Sequence, residues 1–204
     1  MNKLRLLTPI LLIVLALLSC TNKTDSRLTL NFNTDWQFYK SVDTAAMPST
    51  QAEWETVLLP HTANIEPLTV NNKWQGICYY KKDFTLDRQW KNKTLALQFD
   101  AAMNVAKVWV NGQKMTTHLG GYLPFVINLD GIARFDTINS VLVRLDNRDN
   151  PITGPKPLAI LDFNMYGGLY RNVHLFVKNK VSISNPLQTN LIAGGGVFFA
   201  TTKV

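Results

Sequence analysis

The feature that most constrains this chain is a strand that runs into its own turn. Lys107-Val108-Trp109-Val110 leads directly into Asn111-Gly112, after which the chain can return through Gln113 to Thr116. Asn-Gly accepts the positive φ angles that a type I′ turn needs at both central positions, and the twist of that turn matches the twist of paired strands. A β-hairpin is expected here. Three other segments alternate with the same period of two: Leu95, Leu97 and Phe99 share one face, as do Val141, Val143 and Leu145, and Val173, Leu175 and Val177. Turn residues punctuate the intervals, among them Pro60, Gly76, Gly120, Gly121, Pro124, Gly131, Pro151 and Gly154. No helical apolar stripe of comparable length competes. Short strands divided by turns predict an all-β, antiparallel sandwich rather than alternating βα units.

The first residues follow a different logic. Lys3 and Arg5 precede the apolar run Ile10 to Leu18, the charge-then-apolar order of an export signal. Leu6 to Leu18 is 13 residues, short of the roughly 20 that a bilayer-spanning helix needs. Leu17-Leu18-Ser19-Cys20 is similar to a bacterial lipobox, whose cysteine is acylated after cleavage; the alternative is ordinary secretion with Cys20 inside the signal. Residues 1–20 are therefore expected to be a lipoprotein signal peptide and 21–27 a polar tether. The sandwich is expected over 28–180, and 181–204 as a linker and the start of a second domain, because Gly194-Gly195-Gly196 precedes a new β-rich run, Val197 to Thr202.

With Cys20 lipidated, Cys78 is the one remaining thiol, so no intramolecular disulfide is expected and stability must come from the core. Removing Lys3 and Arg5 with the signal lowers the formal charge from +7 to +5. The remaining cations are scattered and do not interleave with aromatics in one run, which argues against nucleic-acid binding. His61, His118 and His174 lie far apart with no metal-ligand spacing, so no metal is expected. No nucleophile elbow, phosphate-cradling glycine loop or paired-cysteine motif occurs, and no cofactor is expected.

Six separated motifs carry a family resemblance. They are Trp54 to Thr62 (WETVLLPHT), Gly76 to Phe84 (GICYYKKDF), Phe99 to Gly112 (FDAAMNVAKVWVNG), His118 to Phe125 (HLGGYLPF), Val141 to Asn147 (VLVRLDN) and Asp162 to Val173 (DFNMYGGLYRNV). In that order they resemble the amino-terminal sugar-binding domain of glycoside hydrolase family 2, β-galactosidase type, from about Leu28 to Lys180. Ala63 stands where the family usually has tryptophan, and Cys78 where it has an aromatic residue.

The resemblance implies a jelly-roll sandwich, then an immunoglobulin-like domain, then a TIM barrel holding a glutamate acid/base and a glutamate nucleophile. In that layout the barrel is missing here and Gly194 to Val204 is the opening of a truncated immunoglobulin-like domain, so the chain by itself would be inactive. Retaining hydrolysis needs two carboxyl groups about 5 to 5.5 Å apart, and in the family both come from the barrel. The substrate would be a β-galactoside or related glycan; β-glucuronides and β-mannosides share this domain. The bacterial cell envelope is the expected location, through a lipid anchor. A self-sufficient carbohydrate-binding envelope lipoprotein is the rival reading.

Three residues are the candidate sugar contacts. Asp162 lies where the resemblance puts a loop aspartate that accepts hydrogen bonds from sugar hydroxyls; a turn carboxylate satisfying backbone amides is the plainer reading. Asn104 precedes the Val108 strand, where the family carries a polar sugar contact, unless the register places Met103 there instead. Tyr166, beside Gly167-Gly168, is a candidate for stacking on a sugar ring, whereas Trp109, Tyr122, Tyr170 and Arg171 fit packing and structural hydrogen bonds better.

Overall fold

The computed structural model describes residues 26–41, 47–49, 51–65, 74–153, 165–189, 191 and 194–197. Cys20, Asp162 and the run from Phe198 onward lie outside the described residues. Within them the chain forms β1 (Arg27–Asn31), β2 (Trp36–Lys40), β3 (Glu55–Val57), β4 (Ile77–Phe84), β5 (Lys93–Phe99), β6 (Val105–Val110), β7 (Gln113–Leu119), β8 (Phe125–Asn128), β9 (Asn139–Asp146) and β10 (Val173–Asn179). A helical turn, Pro186–Thr189 (α1), lies beside β8.

Two antiparallel sheets result, a four-stranded one ordered β1-β10-β5-β8 and a six-stranded one ordered β3-β2-β4-β9-β6-β7. The alternating sets of the sequence become the facing inner surfaces. Leu95, Leu97 and Phe99 with Val173, Leu175 and Val177 line one layer; Val108, Val110, Val141, Val143 and Leu145 line the other. Burying each such side chain contributes about 1.5–3 kcal/mol. Trp36 bridges the layers, fully buried, with its ring 6.4 Å from Phe99 and its indole N–H donating to the Phe32 carbonyl at 2.8 Å. Val181 to Ser184 is exposed and belongs to no strand, so this stretch does not extend the sandwich.

The expected hairpin is present. Val110 pairs with Gln113 around Asn111 (φ 50) and Gly112 (φ 81), and a bulge shifts the register between Val108 and Trp109. Val108 and Val110 point inward, which leaves Trp109 on the outer face, half-buried. The Asn111 side chain holds the turn against the start of β9: its amide donates to Asn139 Oδ1 (2.9 Å) and the Ile132 carbonyl (2.8 Å), and its Oδ1 accepts from Ser140 N (3.0 Å). Cys78 is buried on β4, and loss of water around the thiol pushes its pKa far up, so it is inert at neutral pH.

Candidate functional site

The other end of β6 is built differently. Here Ala63, Gly167, Gly168 and Met103 are laced together: Ala63 N donates to Gly167 O (2.7 Å), His61 N to Leu169 O (2.9 Å), and Met103 and Gly168 exchange both backbone hydrogen bonds. Gly168 sits at φ +132, and a Cβ there would meet the His61 carbonyl and the Tyr80 hydroxyl at 2.7 Å each, so only glycine fits between the two segments. The peptide bonds Leu59–Pro60 and Met103–Asn104 are cis. Met103, Met165 and Tyr170 pack as a small cluster of their own beside the main core.

On one side of this cluster, Pro60, His61, Thr62, Ile65, Tyr166 and Tyr170 enclose an open hollow of about 340 Å³ that is almost wholly apolar. Tyr166 is half-buried in its wall. The Tyr170 hydroxyl donates to the Gly121 carbonyl at 2.6 Å, which fixes its ring. His61 lies 2.8 Å through Nδ1 from the buried Tyr80 hydroxyl and packs on Phe38. Burial holds its pKa below the ordinary imidazole value, with Glu55 opposing weakly, so His61 is neutral and structural. Thr62 Oγ1 reaches the Gly167 and Asn64 carbonyls, both at 3.0 Å.

Next to Met103 lies Asn104, 5% exposed. Its Nδ2 donates to Thr153 Oγ1 at 2.7 Å, and the same oxygen receives Asn150 Nδ2 at 2.5 Å. Its Oδ1 is buried and has no hydrogen-bond partner among the described residues. This oxygen lies toward Gly121, where an added Cβ would come within 3.6 Å of it. A second orphan, His118 Nε2, is buried nearby in the register: His118 pairs with Ala106 and stacks on Phe125 at 4.4 Å. Burial lowers the His118 pKa against two backbone carbonyl contacts that raise it.

The structure thus brings Asn104 and Tyr166 to the same end of the sandwich, near Met103, while Asp162 lies outside the described residues. Tyr122 is exposed at this end, and the Arg171 guanidinium lies 5.5 Å from the Tyr170 ring. Thr153, Asn150 and the orphan nitrogen of His118 were not singled out by sequence reasoning. Their parts depend on contacts across dozens of residues, which no local pattern signals. Among the described residues no cluster of three or more metal-ligating side chains forms, and no helix is long and apolar enough to cross a membrane.

Comparison with known proteins matches residues 33–179 to the family of glycosyl hydrolases family 2, sugar binding domain. A β-glucuronidase of Formosa agariphila is 31% identical over 190 residues, covering 85% of this chain and 19% of the relative. A β-galactosidase of Thermoanaerobacter pseudethanolicus is 30% identical over 164 residues, covering 78% of this chain and 22% of the relative. The solved Bacteroides uniformis β-glucuronidase superimposes with a TM-score of 0.65 at 35% identity, covering 74% of this chain and 18% of that one. The chain therefore spans about a fifth of the length of the relatives it matches.

Proposed function

From the premise that this chain belongs to glycoside hydrolase family 2 as its sugar-binding domain, we propose that its loop end shapes the sugar site of a β-galactosidase-like enzyme. The catalytic carboxylates would come from a barrel domain of the same enzyme. The observation that carries the reading is that this end is chemically unfinished. An open aromatic hollow lies beside a buried amide oxygen that lacks a donor. A buried acceptor without a partner costs about 1–3 kcal/mol, and a hexopyranoside supplies both missing parts. Its C–H face stacks on Tyr166 while a hydroxyl donates toward Asn104 Oδ1. Asp162, an acceptor-only carboxylate, would take further hydroxyls from the segment between Thr153 and Met165.

The parent glycoside is a β-linked galactoside or glucuronide, the two substrates in the names of the relatives above. Residues 1–20 act as an export signal and Cys20 carries lipid, which places the domain at the bacterial cell envelope; labelling with a fatty-acid probe should be lost in Cys20→Ser.

Calorimetric titration of the chain with methyl β-galactoside and methyl β-glucuronide tests the site. Binding in the millimolar range is expected for at least one of them, weakened fivefold or more by Tyr166→Ala and by Asn104→Ala. Equal affinity in all three proteins would place the sugar elsewhere. Turnover of a chromogenic galactoside by the chain alone would overturn its accessory role.

A further inference from the structure

The outer face of the six-stranded sheet is not the neutral, solvated surface its position suggests. The register places Tyr39, Tyr79, Arg144 and Lys107 in one row on the outer side of β2, β4, β9 and β6, with Tyr79 buried within it and the other three partly exposed. Three strand spacings separate its ends, roughly 14 Å. Lys107 stands directly opposite Arg144, and like charges so placed destabilise a sheet. No compensation is visible: among the described residues Lys107 forms no ion pair. The neighbouring carboxylate is already engaged. Asp146 receives Arg148 through Nε at 2.9 Å and Nη2 at 2.7 Å, with Arg144 Nη2 more distant at 3.5 Å. Burial works against the Asp146 charge, but the hydrogen bonds and charge of Arg148, and then Arg144, hold its carboxyl below the usual range.

These side chains surround a hollow of about 450 Å³ lined by three cations, Lys107, Arg144 and Arg148, and two carboxylates, Asp146 and Asp149, with Val105 and Asn150. Such a volume suits a sugar ring. It is concave and partly polar, which a flat lipid surface does not fill. At the far end of the row, Tyr39 and Trp54 lie with ring centroids 5.7 Å apart, both half-exposed. Aromatic faces stack on sugar rings, and a cation without an ion pair, as Lys107 is among the described residues, favours carboxylate or sulfate.

We propose that this face is a second saccharide site, which takes the carboxylate of an acidic oligosaccharide between Lys107 and Arg144 and lays the neighbouring sugar toward Tyr39. It is separate from the loop-end hollow and does not depend on the reading given for that hollow. Among the described residues the hydrogen bonds Asn150–Thr153–Asn104 run between them. In this arrangement Lys107 supplies a point charge, Arg144 a planar fork, and the Arg148–Asp146 pair keeps the Arg144 guanidinium from collapsing onto Asp146.

The test is titration of the full chain with trigalacturonate, with the uncharged trisaccharide maltotriose as control and phosphatidylserine vesicles as a third probe. Trigalacturonate should bind, weaken as NaCl rises, and lose at least tenfold in affinity in Lys107→Glu, while Lys107→Arg retains it and Tyr166→Ala leaves it unchanged. Lys107 is outward-facing, so thermal unfolding should show both variants folded. Equal binding of the uncharged trisaccharide, indifference to Lys107→Glu, or charge-dependent binding to the vesicles alone would each overturn the proposal.

Discussion

The two ends of β6 each carry a buried asparagine, and the pair separates structure from function. At the hairpin end Asn139 is fully buried and fully satisfied: its Oδ1 accepts from Arg134 N (2.8 Å) and Asn111 Nδ2 (2.9 Å), and its Nδ2 donates to Arg134 O (2.7 Å). At the loop end Asn104 is 5% exposed with one bond made and its acceptor idle. The residue type and the burial match; only the hydrogen bonding differs. A buried amide with every group paired holds a turn in place. The idle oxygen of Asn104 is what the proposed sugar site rests on.

Mutations sharpen that contrast in order of size. Gly168→Ala attacks the loop end at its tightest point, forcing a side chain into left-handed backbone and to 2.7 Å from two fixed oxygens. It should cost about 4 kcal/mol, read as a shift in the urea midpoint, from strain and overpacking together. Asn139→Ala should follow at about 3 kcal/mol, because it strands the Arg134 and Asn111 groups in a buried turn. Asn104→Ala should cost about 1 kcal/mol or less, since it removes one bond and with it an unsatisfied oxygen. If Asn104→Ala proves as damaging as Asn139→Ala, the distinction between the two ends collapses.

Acid supplies the smallest effect. Burial holds both His61 and His118 below their ordinary value of 6.5, so each takes up a proton more readily in the unfolded chain. Their neutral forms favour the fold above that value, and stability should fall as the pH drops below about 6.5. Replacing His118 with Gln should flatten part of that slope in urea titrations at pH 7 and pH 5, while Asn139 variants should leave the slope unchanged.

The sequence was most readable where structure is local. The alternation of Leu95, Leu97 and Phe99 sets the inner face of β5, and Asn111-Gly112 sets the hairpin, because a period of two and two positive φ angles are properties of neighbouring residues. The family resemblance pointed to Asn104, and the neighbouring Gly167-Gly168 to Tyr166, as candidates. What could not be read was pairing across distance: that β9 inserts between β4 and β6, which puts Arg144 opposite Lys107, or that Thr153 returns to accept a hydrogen bond from Asn104. Alternation shows that Trp109 and Val110 face opposite ways, but which face is the core depends on the partner sheet. Cys78 and its inert thiol illustrate the same limit: the sequence identified a single remaining cysteine, and packing on β4 determined its chemistry.

The central claim is that the loop end, and not the hairpin end, receives the sugar. Its most direct test is to follow the side-chain amide signals of Asn104 and Asn139 by nuclear magnetic resonance while methyl β-galactoside and methyl β-glucuronide are added. The account predicts that the Asn104 signals shift progressively to saturation together with the Tyr166 and Tyr170 rings, while those of Asn139 stay fixed. Unmoved Asn104 signals at saturating sugar, or shifts centred on Asn111 and Asn139, would contradict it.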